Sequence, residues 1–280
     1  MQNLCSSFFG LILAVLAPLS LAQPSMLSED LERRFHAEEL EQVLVGELTL
    51  SVIPQESAIP LSRGVAILLV DAGYQGLRLA AAQQLAKQLN QLGWHTLIAP
   101  SLIEVALVTA EQTDNTTVHP RSASHQAWYD FDRTKTQLSL LVNALFNHVS
   151  SQRGFKLIVS QGMTAAHLIE LAAEEQIAAP DSMVVISPFW PDRRKNLAIG
   201  ESLAKTEFPV LDINLIRSNL WDAHTYRKRR QDANNALKLH YRQRSIHADN
   251  FSSYAYAETI SPQIVQLSKE IYGWTSYLGW

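Results

Sequence analysis

The chain has 280 residues, 47% of them hydrophobic and 18% charged, which excludes disorder, coiled coils and collagen-like repeats. Its net charge of −4 gives no global attraction to nucleic acid. Phe8 to Leu21 is an apolar block closed by Ser20-Leu21-Ala22, so residues 1–22 are expected to be a signal peptide cleaved before Gln23. Cys5, the only cysteine, leaves with it. The mature chain, 23–280, then has no disulfide and no thiolate chemistry, and must be held by its core. A periplasmic or secreted location is expected, and no later stretch approaches the ~18 apolar residues of a membrane span.

Ser28-Glu29-Asp30 has the chemistry of a helix start. Leu48, Leu50 and Val52 alternate with polar residues, and two antiparallel strands are expected near 46–54. Gly64 to Val70 is a continuous apolar run, which predicts a strand buried on both faces. Leu77, Ala81, Leu85, Leu89 and Leu92 follow at helical spacing, Gly93 stops the helix, and Trp94 to Ala99 is the next strand. Residues 101–131 show no period and are expected to form a loop or lid. Beyond them, helices are predicted from the apolar face 138–149, at 164–173, 197–205 and 222–240, and after Ser261-Pro262. Strands are predicted at 155–160, 183–187, 209–215 and 241–246. This alternation predicts one α/β domain with a mainly parallel, twisted sheet covered on both faces.

Ligands of such sheets sit at the carboxyl ends of the strands. Those ends carry Asp71-Ala72-Gly73-Tyr74-Gln75-Gly76, Ser160-Gln161-Gly162-Met163-Thr164, Ser187-Pro188, and His247-Ala248-Asp249-Asn250-Phe251, with Asp212 inside the strand at 209–215.

This order resembles an α/β-hydrolase, in which an oxyanion loop, a nucleophile elbow, an acid and a histidine follow one another. Arg63-Gly64, Gly93-Trp94, V-S-Q-G-M-T-A-A at 159–166 and P-V-L-D at 209–212 are similar to the exported bacterial proteins of domain-of-unknown-function family 3530. The resemblance covers most of residues 40–280 and implies the fold without implying a reaction. Laid over the G-x-S-x-G elbow, it puts Gly162 at the nucleophile position and Asn250 at the histidine position. A serine mechanism needs a hydroxyl at the first and a base at the second.

Two readings follow. In one, the chain is a binding or envelope-assembly protein whose pocket is formed by Asp71, Gly73, Gln161, Gly162, Ser187 and Asn250. In the other, it hydrolyses an envelope ester or amide, with Ser160 as nucleophile, or a water activated by His247, and Asp212 orienting the histidine. Asp212 inside an apolar run also suits a buried, hydrogen-bonded carboxylate. Ser187 is a further exposed-hydroxyl candidate, with a turn residue as its plainer role. The histidines show no metal-ligand spacing, and the 71–76 loop lacks the G-x-G-x-x-G of a dinucleotide site, so neither metal nor cofactor is expected. Arg227-Lys228-Arg229-Arg230 is a local basic run, either a solvated helix face or a peripheral contact with anionic lipid.

Overall fold

A computed structural model of the chain describes residues 26–71, 73, 75–101, 130–248 and 260–280. Residues 1–22, expected to be a signal peptide, most of the 101–131 segment, and Asp249 to Phe251 with Asn250 lie outside them.

Eight strands form one sheet in the order β1-β2-β4-β3-β5-β6-β7-β8. β1 (Glu41–Val45) and β2 (Leu48–Gln55) are the antiparallel pair expected from the alternation near 46–54, and β2 pairs antiparallel with β4 (Trp94–Pro100). From β4 through β3 (Gly64–Val70), β5 (Phe155–Gln161), β6 (Ser182–Ile186), β7 (Val210–Ile216) and β8 (Tyr241–His247), every pairing is parallel. All seven residues of β3 are buried, as its unbroken apolar run requires at the centre of a sheet covered on both sides.

Helices cover both faces. α1 (Met26–Arg34), α2 (Leu79–Gln91) and α7 (Pro262–Tyr277) lie over one, where Leu31, Leu85 and Trp274 pack on Leu68, Val159 and Leu211. α3 (Phe131–His148), α4 (Gly162–Ala173), α5 (Arg193–Lys205) and α6 (Leu220–Asn235) lie over the other, where Leu141, Ile169 and Leu203 pack on Ile67, Ile158 and Val185. The two layers explain the strand pattern: even and odd residues of β5 belong to opposite cores.

Three boundaries differ from the expectation, two of them through capping. α3 begins at Phe131 because Asp130 accepts the Arg133 amide at 3.0 Å, so Phe131 is already helical. α5 begins at Arg193 because Asp192 accepts the Lys195 amide at 2.9 Å. α6 ends at Asn235, and 236–240 connects it to β8.

Candidate functional site

The turn from β5 into α4 sets the geometry. Gln161 is extended (φ −133°, ψ 151°), and Gly162, the first residue of α4, has φ +66°. This is a strand–turn–helix corner with its apex in the left-handed region, where glycine costs least. The apex is also crowded. A Cβ on Gly162 would lie 2.8 Å from the Gln75 carbonyl oxygen and 3.4 Å from Phe189 Cε1. A side chain there has to displace backbone.

Gln75 is held in that position from two sides. Gln161 Nε2 donates to its carbonyl at 2.8 Å, and its own side-chain amide donates to the Ser218 carbonyl beyond β7. Gln75 itself has φ +67°, an uncommon conformation for a residue with a side chain. Gln75 is thus pinned across the ends of β5 and β7.

Asp71 anchors the start of the loop. It is buried, accepts the Gly73 amide at 2.6 Å, and accepts the Thr164 hydroxyl of α4 at 3.1 Å. Burial raises its pKa, and those two hydrogen bonds partly counter the rise. A Cβ on Gly76 would come within 2.5 Å of Asp71 Cβ, so this glycine permits the close loop. Asp71, Gly73, Gln161 and Gly162 therefore meet at one place.

Ser160 does not share that place. It lies on the same face of β5 as Ile158, under the helices α3–α6, and is fully buried. Its hydroxyl has no hydrogen-bond partner among the described residues. Ser187 (φ +44°) is buried as well. Its Oγ accepts the Leu215 amide at 2.8 Å, so it fastens the end of β6 to β7.

Asp212 is engaged elsewhere than at a histidine. It accepts Arg229 Nε at 2.8 Å and Nη2 at 3.0 Å, the Tyr241 hydroxyl at 2.8 Å and Gln243 Nε2 at 2.9 Å. Arg229 Nη2 also lies 2.7 Å from Asp222 Oδ1. Arg229 is fully buried; burial opposes its charge, but Asp212 and Asp222 outweigh that and raise its pKa. Burial raises the pKa of Asp222, and the Arg229 charge works against the rise. Tyr241 is raised first by burial and then by the Asp212 charge.

His247 is exposed at the end of β8. The register Gln161↔Ile186↔Ile213↔Arg244 puts it three strands from β5 and three residues further along. At a strand spacing of about 4.8 Å it lies more than about 14 Å from the elbow. By the same register Ser160 and Asp212 are two strands, about 10 Å, apart. The structure does not bring Ser160, Asp212 and His247 together.

The basic run divides for a helical reason. Consecutive helix residues point about 100° apart, so four in a row cannot share a face. Arg229 points inward to Asp212 and is no surface cation. Lys228 turns toward Asp232 (2.6 Å) and Glu201 (3.7 Å), and Arg227 and Arg230 are exposed.

A second buried polar group was not singled out from the sequence. His167 on α4 packs edge-on to Trp190 (4.4 Å between centroids), and burial lowers its pKa to about 3. Glu170, one turn on, accepts Trp190 Nε1 at 2.8 Å, and burial raises its pKa. Among the described residues, no group of His, Cys, Asp and Glu is placed to hold a metal ion.

The family model described as "Protein of unknown function (DUF3530)" matches residues 19–276. The chain belongs to this family. No curated protein matches it. Among solved structures it is similar to the dienelactone hydrolase from Anabaena variabilis (16% identity, TM-score 0.53, 85% of this chain and 98% of that one). It is also similar to Est1E from Butyrivibrio proteoclasticus (10%, 0.56, 85% and 98%). A third is esterase 2 from Thermogutta terrifontis, solved phosphoramylated by tabun (9%, 0.57, 88% and 97%). At these identities the likeness establishes the α/β-hydrolase fold of this family member and nothing about its chemistry.

Proposed function

We propose that this chain is an exported envelope protein that uses an α/β-hydrolase frame for binding or assembly, without cleaving an ester or amide. One observation carries the reading: the elbow apex is Gly162, and the Gln75 carbonyl stands 2.8 Å from where its Cβ would be. Serine hydrolysis needs a hydroxyl at that apex and donors around it. Here a fixed acceptor occupies the space instead. Loss of the nucleophile alone costs such an enzyme about 10⁶ in kcat.

The competing reading, hydrolysis through Ser160 or a His247-activated water, requires a fully buried hydroxyl to leave the core beneath α3–α6, or a histidine more than about 14 Å away to reach the elbow. The binding reading requires only that the loops around Asp71, Gly73 and Gln161 contact a ligand or partner. Export rests on the Phe8–Leu21 block and the Ser20-Leu21-Ala22 end. Amino-terminal sequencing of envelope protein is expected to begin at Gln23, and an intact Met1 would contradict export.

The test of inactivity is turnover of short-chain p-nitrophenyl esters and anilides. The wild type is expected to match the G162A variant, both at the level of a non-enzymatic protein. Saturable turnover that disappears in S160A or H247A would overturn the reading.

A further inference from the structure

We infer that the outer side of α6, with the edge strand β8, is a binding groove for a sugar that carries a phosphate group. The groove is separate from the elbow and stands whether or not the elbow is catalytic. It is a polar cleft of about 560 Å³, lined by Tyr226, Arg227, Arg230, Gln231, Asn234 and Gln243 among others.

The helix builds one recognition stripe. At 100° per residue, Arg227, Arg230 and Asn234 fall within about 60° of one another. Arg227 and Arg230 are exposed and form no ion pair among the described residues. Two unpaired guanidiniums one turn apart match a doubly charged phosphate, which each can grip through a fork of N–H donors.

The carboxylates that could compete for them are engaged elsewhere. Asp212 and Asp222 are buried on Arg229, and Asp232 is held by Lys228 on the far side of the helix. Among the described residues, no carboxylate lines the cleft.

The remaining lining groups specify more than charge. Gln243 Nε2 donates both to Asp212 and to the Tyr226 carbonyl (2.7 Å), which fixes the amide and leaves its carbonyl oxygen as the acceptor it can offer. The Asn234 and Gln231 amides add paired donors and acceptors, and Tyr226 adds a flat ring. Amides and an aromatic ring beside a cation pair suit the vicinal hydroxyls and apolar face of a sugar ring. Bare phosphate would leave those groups unused. The buried Asp212–Arg229–Asp222 set thus has a second consequence: it fixes the floor of the groove through Gln243.

Isothermal titration calorimetry at low salt, with glucose 1-phosphate, glucose and inorganic phosphate, tests the proposal. Glucose 1-phosphate is expected to bind at least about tenfold more tightly than phosphate, and glucose to be undetectable. R227Q and R230Q are each expected to weaken glucose 1-phosphate about tenfold or more, as for loss of a charge-assisted hydrogen bond. K228Q removes the same charge from the other face and is expected to change binding less than about twofold. Circular dichroism of each variant confirms that these surface changes leave the fold intact. No binding of glucose 1-phosphate, phosphate binding as tightly, or an equal loss in K228Q would overturn the proposal. So would arginine-dependent retention on phosphatidylglycerol vesicles that glucose 1-phosphate does not compete away, since the groove would then serve a membrane surface.

Discussion

The carboxyl end of β5 and the middle of β7 both carry polar residues inside an apolar sheet, and they treat them in opposite ways. At β7, Asp212 receives four hydrogen bonds and Arg229 bridges it to Asp222, so charge is buried and paired. At β5, Ser160 is buried with no partner among the described residues, and the corner beyond it is glycine closed over by a main-chain carbonyl. The first arrangement locks α6 to β7 and β8 through directional bonds. The second leaves a corner closed over by the Gln75 carbonyl and Phe189. The polar organisation of this sheet is invested in holding helices together, and its elbow is a matter of shape.

The largest expected effect breaks the β7 side. Arg229→Met leaves Asp212 and Asp222 buried without their cation and is expected to cost about 3–5 kcal/mol in urea unfolding. A loss under about 1 kcal/mol would mean that the two carboxylates are solvated and that the contrast with β5 is overstated.

The next probes the β5 side. Gly162→Ala puts a Cβ at φ +66° against the Gln75 carbonyl and is expected to cost about 2 kcal/mol. Faster hydrogen exchange at residues 73–76 should accompany it. A neutral substitution would show that the Gln75 loop yields freely and does not seal the apex.

A smaller, pH-resolved effect comes from His167, just behind the elbow. Its folded pKa of about 3 is below the ordinary 6.5. Below pH 6.5 the unfolded chain takes a proton that the folded chain refuses. Its contribution therefore falls as pH drops from 6.5 toward 3, by about 1.4 kcal/mol per pH unit. Asp71, Glu170 and Asp222, with raised values, act in the opposite sense: the folded chain takes protons first as pH falls through those values. His167→Phe is expected to flatten the stability curve between pH 6 and 5 by that slope. An unchanged slope would place the His167 ring in contact with solvent.

The architecture was legible because burial imposes a period. β3 is apolar throughout, as a central strand must be, and the helix faces repeat at three and four residues. Gly162 was legible at the apex because the elbow is a local feature of five residues. The inward direction of Ser160 follows from its parity with Ile158, a residue that only the three-dimensional layers assign to a face. Asp212 announced a buried partner, but its identity as Arg229 was hidden inside a run of four cations. Helical rotation separates those four, and composition does not. Gln75 left no trace at all, since it acts through a carbonyl oxygen that every residue has, placed by its own positive φ and by Gln161 and Ser218.

The central claim is that the elbow holds no nucleophile. Intact-mass analysis after incubation with a fluorophosphonate reads it directly, because such probes form a stable bond with an activated serine. The unmodified protein is expected to keep its mass, and Gly162→Ser to do the same, since the Gln75 carbonyl stands where the new side chain would begin. A stoichiometric adduct on the unmodified protein that is lost in Ser160→Ala would contradict the account, and would make Ser160 the attacking group of a working hydrolase.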